Sequence, residues 1–128
     1  MIRTILVLSL CLQAFTLESD LFDRFSDAFL AKNQTQLSSL LASKVELEWK
    51  EGKSGWMSKA DAAAELIRFA STCGAGTSMV VSHKSDKNKQ KQFAVATLRT
   101  AGKTYRITLI AKLEGGNWLL ESLSFENS

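Results

Sequence analysis

An α+β domain, with helices leading and an antiparallel sheet following, is the fold class this sequence predicts. Three observations carry that reading. Apolar residues recur at helical spacing from Asp20 to Lys32 and again from Ser58 to Cys73. From Thr77 onward they alternate with polar residues in runs broken by glycine turns, the mark of half-buried strands in a meander. The 128 residues contain no proline and no linker-like or low-complexity stretch, which suits one domain.

Taken in order, Leu21, Phe22, Phe25, Ala28 and Phe29 form the aromatic face of a first helix, with Asp23, Arg24, Asp27 and Lys32 opposite. Asp20 and Asp23 suit the positive end of its dipole. Asn33 is expected to end it in a left-handed conformation, and Leu37, Leu40 and Leu41 then mark a shorter helix from Gln34 to Ala42. Val45, Leu47 and Trp49 alternate with Glu46 and Glu48, which makes a strand, and Glu51 to Gly55 turns the chain. Ser58-Lys59-Ala60-Asp61 opens a third helix, because the serine oxygen can accept from the amide three residues on. Ala63, Leu66, Ile67, Phe69, Ala70 and Cys73 form its apolar face, and Gly74 and Gly76 stop it. Four strands follow, over Thr77–Lys84, Phe93–Thr100, Thr104–Leu113 and Trp118–Glu126. The order α-α-β-α-β-β-β-β closes as an antiparallel sheet with helices against one face.

The first residues read differently. Met1-Ile2-Arg3 is a short basic start, Ile5 to Leu12 is apolar, and Ala14 is a small residue at a cleavage position. Residues 1–14 are therefore expected to be a signal peptide, residues 15–128 the single domain, and the destination periplasmic or secreted. The apolar run is too short to cross a bilayer of ~30 Å as a helix, so no transmembrane segment is expected in the mature chain. A lipoprotein reading of Cys11 fails at Leu10, where a small residue should stand. Cleavage would remove Arg3 and Cys11, lowering the formal charge from +3 to +2 and leaving Cys73 alone. An intramolecular disulfide and a cysteine zinc site are then excluded. That balance is not the one a dedicated nucleic-acid binder carries. The charges are nonetheless polarised along the chain. Phe15 to Glu65 holds six basic and nine acidic residues, whereas Lys84 to Lys112 holds eight basic residues and one acid, Asp86.

The first helix from Phe22 to Lys32, Val45-Glu46-Leu47, Ser58-Lys59-Ala60-Asp61, Thr104-Tyr105-Arg106 and Gly115-Gly116-Asn117-Trp118-Leu119-Leu120 occur in an order that carries a resemblance. It resembles the cystatin-like cone shared by nuclear transport factor 2-like proteins. More closely, it is similar to a family of small secreted bacterial proteins whose domain has no assigned function. The likeness covers essentially everything after Ala14. Its motifs are turns and caps, informative about fold and nearly silent about chemistry. It implies a curved sheet wrapped around the N-terminal helix, a pocket at the wide end, and a homodimer through the sheet if Ile110, Trp118 or Leu120 lies on its outer face. Enzymes of that superfamily, the ketosteroid isomerase-like proteins, pair a pocket carboxylate base with a donor to an oxyanion. Those roles would fall here to Glu121 and Tyr105.

Periodicity supplies the candidate site residues. Tyr105, Ile107, Leu109, Ala111 and Leu113 share one face of a strand, and Leu119, Glu121, Leu123 and Phe125 share one face of the next. Glu121 is thus an acid in an apolar row, where burial requires a partner or a raised pKa, and Arg106 or His83 could be that partner. A rim position with a purely structural pairing fits the same pattern. His83, the single histidine, follows Met79 and Val81 at a strand end and could act as acid or base, although no nucleophile is tied to it. Cys73 sits on an apolar helix face as a small hydrophobe. Lys84, Lys87, Lys89 and Lys91 form either a solvated hairpin loop or an anion-binding surface extended by Arg99, Lys103, Arg106 and Lys112. No aromatics are interleaved with them to stack bases.

No metal-ligand cluster, phosphate loop or nucleophile elbow occurs, and no cofactor is expected. The catalytic candidates are Glu121, Tyr105 and His83, and the ligand-binding candidates Tyr105, Arg106, Trp118 and Glu121. The sequence favours a non-enzymatic exported domain that binds a small apolar ligand or an envelope protein. The alternative is an isomerase- or dehydratase-like enzyme built on a pocket carboxylate.

Overall fold

The computed structural model describes residues 20–84 and 91–128. The expected signal peptide, and Lys87 and Lys89 of the basic stretch, lie outside the described residues. Helix α1 spans Leu21–Ala31, capped by Asp20, whose carboxylate accepts from the Asp23 amide at 2.9 Å. Lys32, not Asn33, takes the left-handed conformation, with φ of 56°. Asn33 instead caps the next helix. Its side-chain oxygen accepts from the Gln36 amide at 3.1 Å and starts α2, Gln34–Ser39. A capping residue has extended backbone, so the residue before it bears the strain of the turn.

Helix α2 ends three residues before the expected position. Leu40 closes it, and β1 begins at once, Leu41–Glu48. A short strand between the expected turn and the expected helix start, which the sequence does not mark, follows: β2, Gly55–Ser58. Ser58 then caps α3, Lys59–Thr72, accepting from the Asp61 amide at 3.2 Å as its spacing predicts. The remaining strands are β3 Ser78–Lys84, β4 Lys91–Arg99, β5 Thr104–Glu114 and β6 Asn117–Asn127.

The six strands form one open sheet in the order β2-β1-β6-β5-β4-β3. Every pairing is antiparallel except β1 with β6, which is parallel. One face is covered by the helices. The core is made by Phe25 and Phe29 of α1, Leu37 of α2, Leu66 and Phe69 of α3, and Ala94, Ala96, Leu98, Ile107, Leu109 and Leu123 of the strands. Its densest part is aromatic: Phe69 meets Phe29, Trp49, Tyr105 and Phe125 at centroid separations of 5.2 to 6.3 Å, three of them edge-on. Edge-to-face packing satisfies the ring quadrupoles while filling the space between helix and sheet.

Of three register shifts in the sheet, one falls between Leu41 and Glu46 of β1, and the other two move candidate residues. In β3 the register slips between Val81 and His83, leaving Ser82 as an extra residue. In β6 it slips opposite Ile110 and Ala111, which pair with Ser122 and Leu120 and leave Glu121 unpaired between them. Each is a β-bulge, and beyond it the alternation restarts one residue out of step.

Candidate functional site

The bulges decide where the candidate residues stand. His83 does not continue the row of Met79 and Val81. It pairs with Val95 on the outer face, its ring 5.7 Å from that of Phe93. Lys84 comes inward instead, and its ammonium binds Asp20 at 2.6 Å and Asp23 at 3.0 Å at the start of α1. Burial alone would raise the Asp20 carboxyl. The bond from Lys84, the Asp23 amide and the lysine charge outweigh this and hold it below its ordinary range. The same pairing, led by the bond to Asp20, holds Lys84 above the usual lysine value.

In β6 the expected row Leu119, Glu121, Leu123, Phe125 is broken. Leu120 is fully buried in the core and Leu119 only half-buried. Leu120 is therefore not an outer-face residue, and Trp118 is half-buried against the core. Glu121 is buried, and its partner is neither Arg106 nor His83 but Lys91, at 2.7 Å. Arg106 lies exposed on the outer face between Thr97 and Glu126. Tyr105 is far from Glu121. Glu121 on β6 lies beside Ala111, and the six residues along β5 from Tyr105 to Ala111 span roughly 20 Å at the rise of a strand. The structure thus brings Glu121 to Lys91 and His83 to Phe93, and does not gather Glu121, Tyr105 and His83 into one centre.

The carboxylate beside Tyr105 is one that sequence spacing does not single out, Glu51. Tyr105 is only 4% exposed, and burial first, then the charge and hydrogen-bonding of Glu51, push its phenol up. Together with Lys50, Phe125, Glu126 and Asn127 the two residues line a cleft of about 280 Å³ at the end of the sheet. Phe125 and Tyr105 are its apolar floor, and both rings are braced from behind by Phe69. The loop that carries Lys50 and Glu51 is fastened by its backbone. Arg68 Nη2 donates to the Glu51 carbonyl at 2.9 Å, and the Lys53 amide donates to Glu65 Oε1 at 3.1 Å. Arg68 and Glu65 also pair with each other at 3.2 Å. Gly52 lies between the two fastenings, where a Cβ would collide with both Arg68 Nη2 and Glu65 Oε1. The Lys53 amide, above all, and the neighbouring Arg68 hold the Glu65 carboxyl below its usual range. Trp49 closes the loop from within, its indole N–H donating to the Lys53 carbonyl at 2.8 Å. The one sign of Glu51 in the sequence is its place: a glutamate before Gly52, in the turn leaving a strand.

Among the described residues no group of His, Cys, Asp and Glu could hold a metal ion, and no helix is long and apolar enough to cross a membrane. Cys73 is buried, and burial raises its thiol above the ordinary value.

With helices packed on one face of an open sheet, the chain has the cystatin-like, nuclear transport factor 2-like architecture. Two solved structures share it: a cystatin-like domain of unknown function from Nostoc punctiforme (15% identity, 84% of this chain and 73% of that one, TM-score 0.65) and an NTF-2 like protein of unknown function from Silicibacter pomeroyi (17%, 94% and 98%, 0.63). Within that class, the family model for a domain of unknown function, DUF4783, matches residues 22–126, and the chain belongs to that family. A DUF4783 protein from Bacteroides ovatus has the same fold, with 21% identity over 82% of this chain and 93% of that one and a TM-score of 0.71. No curated protein matches the chain.

Proposed function

We propose that this is a non-enzymatic interaction domain that pairs with a second copy of itself across the outer face of its sheet. The observation that carries the reading is a line of registered residues crossing five strands: Trp56, Glu46, Ser122, Ile110 and Phe93. Trp56 is 62% and Phe93 42% exposed, while the opposite face is already packed against the helices. Tryptophan and phenylalanine are enriched at protein interfaces relative to the rest of the surface. Charge favours self-pairing. Glu46 and Glu48 stand on β1, and Arg106 and Lys112 on β5, toward the other edge of the sheet. A two-fold axis parallel to the strands lays the acidic half of one copy over the basic half of the other, an isologous contact. Sedimentation equilibrium tests this. The wild type should dimerise, and Ile110→Lys should weaken dimerisation at least tenfold with unchanged helix content. A wild type that stays monomeric throughout the micromolar range would sink the idea.

Export belongs to the same proposal. It is supported by the apolar run Ile5 to Leu12 behind Arg3 and by Ala14. The mass of the protein taken from its own cells should correspond to a chain starting at Phe15; an N-terminus retaining Met1 would overturn it.

A further inference from the structure

We propose that the pocket between β2, at the edge of the sheet, and α3 binds a neutral saccharide, with one pyranose ring lying on the Trp56 indole. The pocket has a volume of about 360 Å³, within the range of ligand sites. Trp56 lines it and is 62% exposed, so the indole offers an open surface. Met57 and Ala64 add apolar lining, and the side chain of Ala64 is too small to fill the space in front of α3.

The polar groups are mixed in sign. Asp61 and Glu65, four residues apart, stand on one face of α3, and Lys53 joins them from the loop. Glu65 is held through Oε1 by the Lys53 amide at 3.1 Å and by Arg68 at 3.2 Å. Among the described residues no ion pair engages Asp61 or the ammonium of Lys53. With Glu65 offset by Arg68, these two balance, so the site favours neither an anion nor a cation. A carboxylate that accepts and an ammonium that donates suit hydroxyl groups, which do both. A pyranose with equatorial substituents completes the match. Its hydroxyls radiate from the rim, and each flat side carries C–H hydrogens, slightly positive, that suit the negative face of an indole. The loop is fixed before any ligand arrives, because the Trp49 indole N–H donates to the Lys53 carbonyl at 2.8 Å.

An NMR titration with cellobiose tests the site. The chain has three tryptophans and so three indole N–H signals, and Trp56→Ala identifies the one that belongs to the pocket. Cellobiose should shift that signal saturably in the millimolar range, and sorbitol, a polyol without a ring, should not. Asp61→Ala should weaken binding about tenfold, the scale of a hydrogen bond to a charged group, and Lys53→Ala should weaken it as well. Both side chains are exposed, and the Trp49 signal, which reports the bond to the Lys53 carbonyl, should keep its hydrogen-bonded position in both variants. Three results would overturn the site: no saturable shift in either the wild type or Ile110→Lys, a response to sorbitol matching that to cellobiose, or an affinity unchanged by both Asp61→Ala and Lys53→Ala. Only Trp56 is shared with the row across the sheet, so a protein that proves monomeric would leave this proposal standing.

Discussion

Asp20 serves two partners at once, capping α1 through the Asp23 amide and receiving the ammonium of Lys84. Its carboxyl is held below the ordinary value of 3.8, so the native state takes up that proton less readily than the unfolded chain. The stabilisation is complete above that value and is lost as pH falls through the lower native one. Lys84 is shifted up from 10.5, so its share is complete below that value and is lost as pH rises through the higher native one. The clasp therefore works from about pH 4 to about pH 10.5. Asp20→Asn retains a capping oxygen and removes the charge. Because the pair is partly exposed, it should cost only about 1 kcal/mol at pH 7. Urea curves should show that difference vanishing at the acid end. Gly52 gives a second test at this scale. Gly52→Ala should push Arg68 and Glu65 off the loop and cost about 1–2 kcal/mol, the worth of their hydrogen bonds. In an Arg68→Ala background the further cost of the alanine should shrink, which a double-mutant cycle of melting curves would show.

Among the elements, the bulges at Ser82 and Glu121 have the largest consequences. Strict alternation puts Leu119 inside and Leu120 outside, and the structure does the opposite. Leu120→Ala should then cost roughly 2–5 kcal/mol in urea unfolding, the range for a buried leucine, and Leu119→Ala clearly less. Equal costs would contradict the register. The helices, the Ser58 cap and the four strands of the meander are legible in the sequence because each has a local mark: a periodic face, a serine three residues before Asp61, a glycine turn. A bulge has no such mark, since Ser82 and Glu121 look like ordinary members of their rows. Strand β2 is hidden for a similar reason, four residues with a glycine at the start and a cap at the end. Glu121 is buried and paired, as its place in an apolar row requires, but with a partner the sequence does not suggest. Its acid-in-apolar-row character comes from the alternation, and its partner Lys91 lies two strands away on β4. Periodicity finds Tyr105, but Glu51 reaches it from a loop, and loops have no period.

At the scale of the whole molecule, Phe69 joins α1, the end of β1, β5 and β6 by touching Phe29, Trp49, Tyr105 and Phe125. Phe69→Ala should remove about 3–5 kcal/mol, a large part of what a domain of this size possesses, and lower the thermal midpoint accordingly. Loss of the near-ultraviolet signal of the aromatic cluster with the helices retained would be the expected sign of partial collapse. The parallel pairing of β1 with β6 has a different consequence, one of timing. Strand β6 lies between β1 and β5, and among the described strands it alone bridges the pair β1–β2 to the hairpins β3–β4–β5. A ribosome therefore releases both parts of the sheet before it releases the strand that joins them. Until residues beyond Asn117 emerge, the apolar faces of α1 and α3 have only half a sheet to cover them. The two parts of the sheet are joined only once β6 has emerged, and a nascent chain stopped before β6 should remain open to protease.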